Sequence, residues 1–562
     1  MVITLTDFGA KPDSGEDTQP AMQGAIEAAS RISEAVLIDC PRGCYHFYSN
    51  TAVRAPYYIS NSASEEENPD VMKTIGILLK GMHHLTLDGN GSLFIFHGKQ
   101  TMFLLDSCSH VEIRNVHTDF AQPTVVEMTI LQSGSNYFEV KVHPDFNYEL
   151  HDGVLDWVGE GWRFRHGPMQ AHDPIRNTTR RIDNWFEQAL RVEEISSMLL
   201  RLYFDFTPIV ADGTILQSRD GIRDQAGVFI VGSSGVRFTN VGLHFMHGLG
   251  IVGQFSENIT FQRMDLSPRI ETGRTATGFA DFIHMSGCRG KVRVEDSRLT
   301  GAHDDGINVH GTYLSIIGRL AENRLKVRFM HPQTYGFQPF YPGDEIDFVR
   351  SGSLTVYGNN RVFSVQWINP REVILNLVYP VPENLGEHDV IENVTWTPEV
   401  EIINNHFSRI PTRGILATTQ RRVVISGNVF ERLQMSAILI AADAESWYES
   451  GRVMDVNIIG NRFIECGSNK HPVLFISPEN KTLDVNTPVH RNIRIENNSF
   501  VTLDAILLSA KSTSSLAFRN NEVEVVDNEA GPSCLEEAIR LIACSGVDIA
   551  GNSFTGGSAE GT

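Results

Sequence analysis

Residues 400–407, VEIINNHF, alternate apolar and polar side chains and then set two Asn before a final apolar position. The phrase returns as RVVISGNVF (422–430), VNIIGNRF (456–463), IRIENNSF (493–500), LAFRNNEV (516–523) and VDIAGNSF (547–554). Weaker copies stand upstream at VRFTNVGL (236–243), ITFQRMDL (259–266) and VRVEDSRL (292–299). With Asn405, Asn428, Asn461, Asn498, Asn521 and Asn552 as markers, the steps are 23, 33, 37, 23 and 31; Val241 to Met264 gives 23 again. A minimum step near 23 with variable excess predicts a right-handed parallel β-helix, an architecture that grows by stacking coils and sheds insertions at its turns. Strand alternation supplies the inward apolar residues. The recurrent Asn suits a left-handed corner or a side-chain ladder, a structural role.

Two stretches lack the phrase. Residues 122–225 and 312–398 carry ordinary strand-and-turn text, such as NYFEVKVHPDF and NRVFSVQWINPREVILNLVYP, and read as two inserted β-barrel-like domains. The expected organisation is an N-terminal cap with the first coils (1–121), insert one (122–225), coils carrying the site (226–311), insert two (312–398) and C-terminal coils (399–562). In DTQPAMQGAIEAASR, Thr18 as cap, Pro20 in the first turn and apolar residues at helical spacing predict an amphipathic helix over the solenoid's open end.

The period allows the coils to be aligned. DFIHMSG (281–287) matches DGINVHG (305–311) at a shift of 24, and RGILATT (413–419), SAILIAA (436–442), DAILLSA (504–510) and EAIRLIA (537–543) continue the register. The position before the strand then forms a column reading Asp281, Asp305, Arg413, Ser436. Neighbouring rungs are about 4.8 Å apart, so Asp281, Asp305 and the adjacent Asp304 should cluster. A solvated turn explains one Asp-Asp-Gly but not like charge on successive rungs, which costs stability unless function compensates. One fitting chemistry is glycoside hydrolysis by inversion, with an acid and a water-activating base about 6.5–9.5 Å apart. The alternatives are a calcium-dependent polysaccharide lyase, a polygalacturonase-like hydrolase and a non-catalytic glycan-binding β-helix. A lyase needs a base and clamp near its metal; Arg274, Arg289 and Arg413 stand near 281–311, where Lys291 is the one Lys.

Other residues carry two readings each. His303 and His310 flank the motif, Asn308 shares the orientation of His310, and His284 lies one rung below Asn308; each is a sugar contact or a structural group. Arg413 is a counter-charge to Asp305 or a grip on carboxylate or hydroxyl. In HPQTYGFQPFYPGD (331–344), Tyr335 and Phe337 form a sugar-stacking platform or a barrel core. The net charge of −21 argues against nucleic-acid and anionic-membrane partners. No apolar run approaches the length of a membrane span. There is no nucleotide fingerprint and no His/Cys metal spacing, so neither cofactor nor metal is expected. The seven Cys (40, 44, 108, 288, 466, 534, 544) contain no C-x-x-C pair; Cys40 and Cys44 are bridged or free. The opening MVITLTDFGAKPD has no signal-peptide pattern, and the expectation is a secreted or periplasmic bacterial protein whose leader is absent from this sequence. Homo-oligomerisation is left open.

Together DFIHMSGCRG (281–290), GAHDDGINVHGTY (301–313), HPQTYGFQPFYPGD and IPTRGILATT (410–419) resemble glycoside hydrolase family 110 along most of the chain. That family comprises bacterial α-1,3-galactosidases that remove terminal galactose, including from the blood group B antigen. The resemblance implies an exo-acting, inverting enzyme acting on galactose-terminated oligosaccharides or glycoconjugates, fucose-branched or linear. It implies Asp304 as general acid and Asp281 with Asp305 as the pair that activates water. Polygalacturonases share an Asp … Asp-Asp layout, but RGILATT lacks the Lys that grips an acidic sugar.

Overall fold

The computed structural model describes residues 1–468, 470–526 and 532–556. It is a right-handed parallel β-helix with two β-rich inserts. One face stacks Thr101–Asp106, Ala226–Val231, Leu249–Gln254, Ile283–Ser286, Ile307–Thr312, Ile415–Ala417, Ile438–Ile440, Leu474–Ile476, Leu508–Lys511 and Ile539–Ile542, each parallel to the next. Met72–Lys80 extends that face before Thr101–Asp106, with Val53–Pro56 at its edge, and a 22-stranded sheet folds around the other faces.

The repeated phrase works through its backbone and two side-chain columns. Asn405 Nδ2 donates to Asn428 Oδ1 at 3.0 Å, and the same 3.0 Å bond runs from 428 to 461, 461 to 498, 498 to 521 and 521 to 552. The residue before each Asn takes the left-handed corner: Asn404, Gly427, Gly460, Asn497, Asn520 and Gly551 all have positive φ. Corner and ladder are thus divided between neighbours. Inside, Phe407, Phe430, Phe463 and Phe500 stack at centroid spacings of 4.8, 5.0 and 4.7 Å. A buried polar column with every amide partnered and a dry aromatic column beside it fix each rung on the last.

Two details of the expected stacking differ. DAILLSA enters two residues later than aligned: Leu508, not Ile506, pairs with Leu474, which pairs with Ile438. The rung Leu474–Ile476 was passed over. A shift of two keeps every side chain on its face, so alternation alone cannot detect it.

The helix forms at Gln19–Ser30 and buries Ala21, Met22, Ala25 and Ala29 in the solenoid core. Thr18 flanks it but makes no side-chain cap; Asp17 Oδ1 instead accepts the Gln19 N–H at 3.0 Å. The first insert is a seven-stranded antiparallel sheet spanning Val126 to Ser218 with a three-stranded sheet, Asn147–Phe164, sharing its core. The second is a closed six-stranded barrel between Leu314 and Asn393. The seven Cys are all free thiols, so Cys40 and Cys44 are not bridged. No helix among the described residues is long and apolar enough to cross a membrane.

Candidate active site

The coil register assembles the carboxylates. Ile283 pairs with Ile307 and Ile307 with Ile415, while Phe282 N donates to Asp305 O at 3.0 Å and Gly306 N to Arg413 O at 3.0 Å. Asp281, Asp305 and Arg413 therefore occupy successive rungs, as the 24-residue alignment requires. The next strand begins only at Ile307, so Asp304 and Asp305 lie in the irregular corner before it and can point to one region. Gly306 serves close approach: a Cβ there would stand 2.5 Å from the Gly414 carbonyl of the next coil.

Each carboxylate has a different setting. Asp305 is buried and receives a fork from Arg413, Nε to Oδ1 at 2.8 Å and Nη2 to Oδ2 at 2.6 Å, with the Arg413 backbone N–H on Oδ1 at 3.1 Å. Asp281 is buried and its Oδ2 meets His284 Nδ1 at 2.9 Å. Burial opposes its ionisation, but the hydrogen bond with His284 and the charges of Arg223 and Arg413 prevail and hold it below the usual carboxylate range. Asp304 is less enclosed and pairs with Arg181 of the first insert, Nη2 to Oδ1 at 2.9 Å. Burial first, then the charges of Asp305 and Asp281, push its carboxyl up to about 6. Loss of water is the larger cause and the neighbouring charges the smaller.

One oxygen from each of the three carboxylates lies within 4.8 Å of the others. That closeness follows from the fold: Asp281 and Asp305 stand on adjacent rungs, and Asp304 is the residue next to Asp305.

The structure separates the accompanying residues. His284 Nε2 lies 2.9 Å from His310 Nε2, so the two rings face each other through these nitrogens. Asn308 Nδ2 approaches Glu449 Oε2 at 3.4 Å on the border of the same cleft. Arg413 is both counter-charge and fork. His303 is buried, with Nε2 3.2 Å from Gln217 Oε1 of the first insert. Burial, with Arg219 and Arg181 nearby, sets its pKa well below the usual histidine range. Tyr335 and Phe337 belong to the barrel core; Tyr335 packs edge-on against Tyr58 and carries Arg371 4.5 Å over its ring.

Several site residues escaped the sequence reading. Arg181 and Arg219 come from the first insert and its return, Arg223 sits just before the coils resume, and Glu449 arrives on a two-residue strand antiparallel to Gly311–Thr312. Arg223 Nη2 donates to Gln333 Oε1 of the barrel at 2.6 Å, and His331 of the barrel stacks on Trp447 at 4.3 Å. None carries a motif; only the alternation break around ESWYES (445–450) marks the segment that brings Glu449.

Three family models match: GLAA-B beta-barrel domain I over residues 126–216, GLAA-B beta-barrel domain II over 324–391 and a right handed beta helix region over 390–562. Alpha-1,3-galactosidase A of Bacteroides thetaiotaomicron is 40% identical over 545 residues, covering 96% of this chain and 95% of that protein. Alpha-1,3-galactosidase B of the same organism is 35% identical, covering 99% and 91%. Alpha-1,3-galactosidase A of Streptomyces avermitilis is 34% identical, covering 99% and 93%.

Proposed function

The chain belongs to the alpha-1,3-galactosidases of glycoside hydrolase family 110, and from that premise we propose that it removes a single terminal galactose with inversion. Asp304 donates its proton to the glycosidic oxygen as the bond from that oxygen to C1 breaks. Asp281, with Asp305 beside it, holds a water, whose oxygen bonds to C1 from the opposite face while its proton passes to Asp281. Solvent exchange then returns a proton to Asp304. Arg413 keeps Asp305 aligned, and His284 keeps Asp281 aligned.

The observation that carries this reading is the split between two neighbouring carboxyls, one pushed up to about 6 and the other held below the usual range. Environments that drive two titratable groups apart supply an acid and a base at one pH. Exo action is supported by closure of the groove: Arg181 of one insert reaches Asp304, and the other insert abuts Arg223 and Trp447. The substrate is a galactose-containing glycan, fucose-branched as in blood group B or linear.

A specific observation favours a second reading. Carboxyl oxygens within 4.8 Å fall near the 5–5.5 Å of retaining enzymes rather than the wider gap of inverting ones. Proton NMR of the first product decides. β-Galactose appearing before mutarotation supports inversion; α-galactose with transfer to added methanol establishes retention and removes the mechanism above. An unsaturated product would remove hydrolysis altogether.

A further inference from the structure

His284, His310 and Glu449 come from three separate strands and bring Nε2, Nε2 and one carboxylate oxygen within 4.8 Å of one another. His310 Nδ1 lies 2.7 Å from the Gly311 carbonyl, which can only accept, so that nitrogen bears the hydrogen. His284 Nδ1 is engaged with Asp281 Oδ2 at 2.9 Å. With both Nδ1 atoms donating, two Nε2 lone pairs face each other at 2.9 Å. They repel unless a cation sits between them. Glu449 Oε1, 3.5 Å from His310 Nε2, adds an anionic oxygen to the same space.

We infer that His284, His310 and Glu449 form a site for one divalent transition metal of the zinc type, with an open fourth position toward the cleft. Two imidazole nitrogens and a carboxylate are a donor set that such ions take. The outer shell is also built. Metal-bound histidines characteristically pass their second N–H to a carboxylate or a backbone carbonyl, and these two use one of each. The carboxylate is held as well, by Asn61 Nδ2 on Oε1 at 2.8 Å and Asn308 Nδ2 on Oε2 at 3.4 Å. Both histidine side chains are 1% exposed while Glu449 is 20% exposed, which leaves an entry path on the carboxylate side. A shared proton would also relieve the facing lone pairs, but it needs no third ligand, and Glu449 with its two amide holders would then serve no purpose there.

The ligands are 26 and 139 residues apart along the chain (284 to 310, 310 to 449), so no spacing motif announces them. Bound metal leaves His284 Nδ1 on Asp281.

The test uses the whole chain, stripped with a chelator, dialysed and titrated with Zn²⁺ by calorimetry. One equivalent is expected, with affinity falling at least about tenfold in both His310→Gln and Glu449→Gln, each checked for native circular dichroism. Cu²⁺-loaded unsubstituted protein should show echo modulation from two imidazoles, a readout that needs no variant. Absence of stoichiometric binding, unchanged affinity in the variants, or fewer than two imidazoles on Cu²⁺ would each overturn the site in favour of a shared proton.

Discussion

Replacing Asp304 with Asn should stabilise the protein while disabling it. The Asp304 carboxyl rises from an ordinary 3.8 to about 6 because its ionised form is penalised by burial and by Asp305 and Asp281. The side chain is 21% exposed, so most of that penalty is felt in the fold. A rise of roughly two units at about 1.4 kcal/mol each places the cost on the order of 3 kcal/mol. The native state holds the proton more tightly than the unfolded chain, so stability falls as pH rises between 3.8 and about 6, and the full cost is present above that window. Asn carries no charge to desolvate and can still accept from Arg181. Asp304→Asn should therefore melt a few degrees above the parent near pH 8, and the gap should shrink to about half a kcal/mol near pH 4. Turnover of a disaccharide should fall at least about a hundredfold, with partial rescue by an aryl galactoside that needs less protonation. Paired thermal melts at the two pH values, alongside kinetics on both substrates, provide the check. A variant no more stable than the parent at pH 8, or one that keeps normal disaccharide turnover, would refute the reasoning that Asp304 is a destabilised acid.

The same carboxyl should set the basic side of the rate profile: kcat/KM falls about tenfold per pH unit above roughly 6, as the acid loses its proton, and a profile flat to pH 9 would remove Asp304 from that role. Arg413→Met strands the buried Asp305 carboxylate, and loss of about 3–5 kcal/mol in urea unfolding together with lost activity is expected; Arg413→Lys, which cannot form the fork, should recover little of either. Gly306→Ala forces a Cβ to 2.5 Å from the Gly414 carbonyl and should lower kcat more than it raises KM, since it displaces Asp305 rather than the sugar pocket. Asn461→Ala deprives the Asn428 N–H and amide, the Asn498 amide oxygen and the Ile425 carbonyl of a partner; a loss above about 2 kcal/mol with unchanged kcat is the expected result by denaturation and kinetics.

The solenoid and its acidic column were legible because a parallel β-helix converts sequence period directly into spatial neighbourhood. Once Ile283, Ile307 and Ile415 share a register, the places of Asp281, Asp305 and Arg413 follow without any knowledge of loops. The same logic failed where period is silent. The two-residue slip at Leu508 preserves every inward face, so no hydrophobic pattern protests against it. Arg181 reaches Asp304 from an insert whose placement depends on how a separate core docks, and Glu449 reaches His310 from a strand of two residues. Aromatic density did not decide the place of Tyr335, because a barrel core and a sugar platform call for the same residues.

Why the chain needs both Asp304 and Asp305 follows from their unequal settings. Asp305 lies within the repeat, where the next coil supplies a guanidinium fork and a backbone N–H at fixed distance. That grip suits a charge that must stay, and it would be wasted on a group that must change protonation in each cycle. Asp304, one residue earlier, falls outside the column and pairs with the partly exposed Arg181, at 2.9 Å to one oxygen. Among the described residues that is its closest ion pair, and burial with the two anions beside it makes the proton worth holding. A single carboxylate cannot be both the fixed charge that raises its neighbour's pKa and the neighbour that gives up the proton. The corner before Ile307 lets consecutive residues take these opposite roles because one is held by the repeat and the other is released from it.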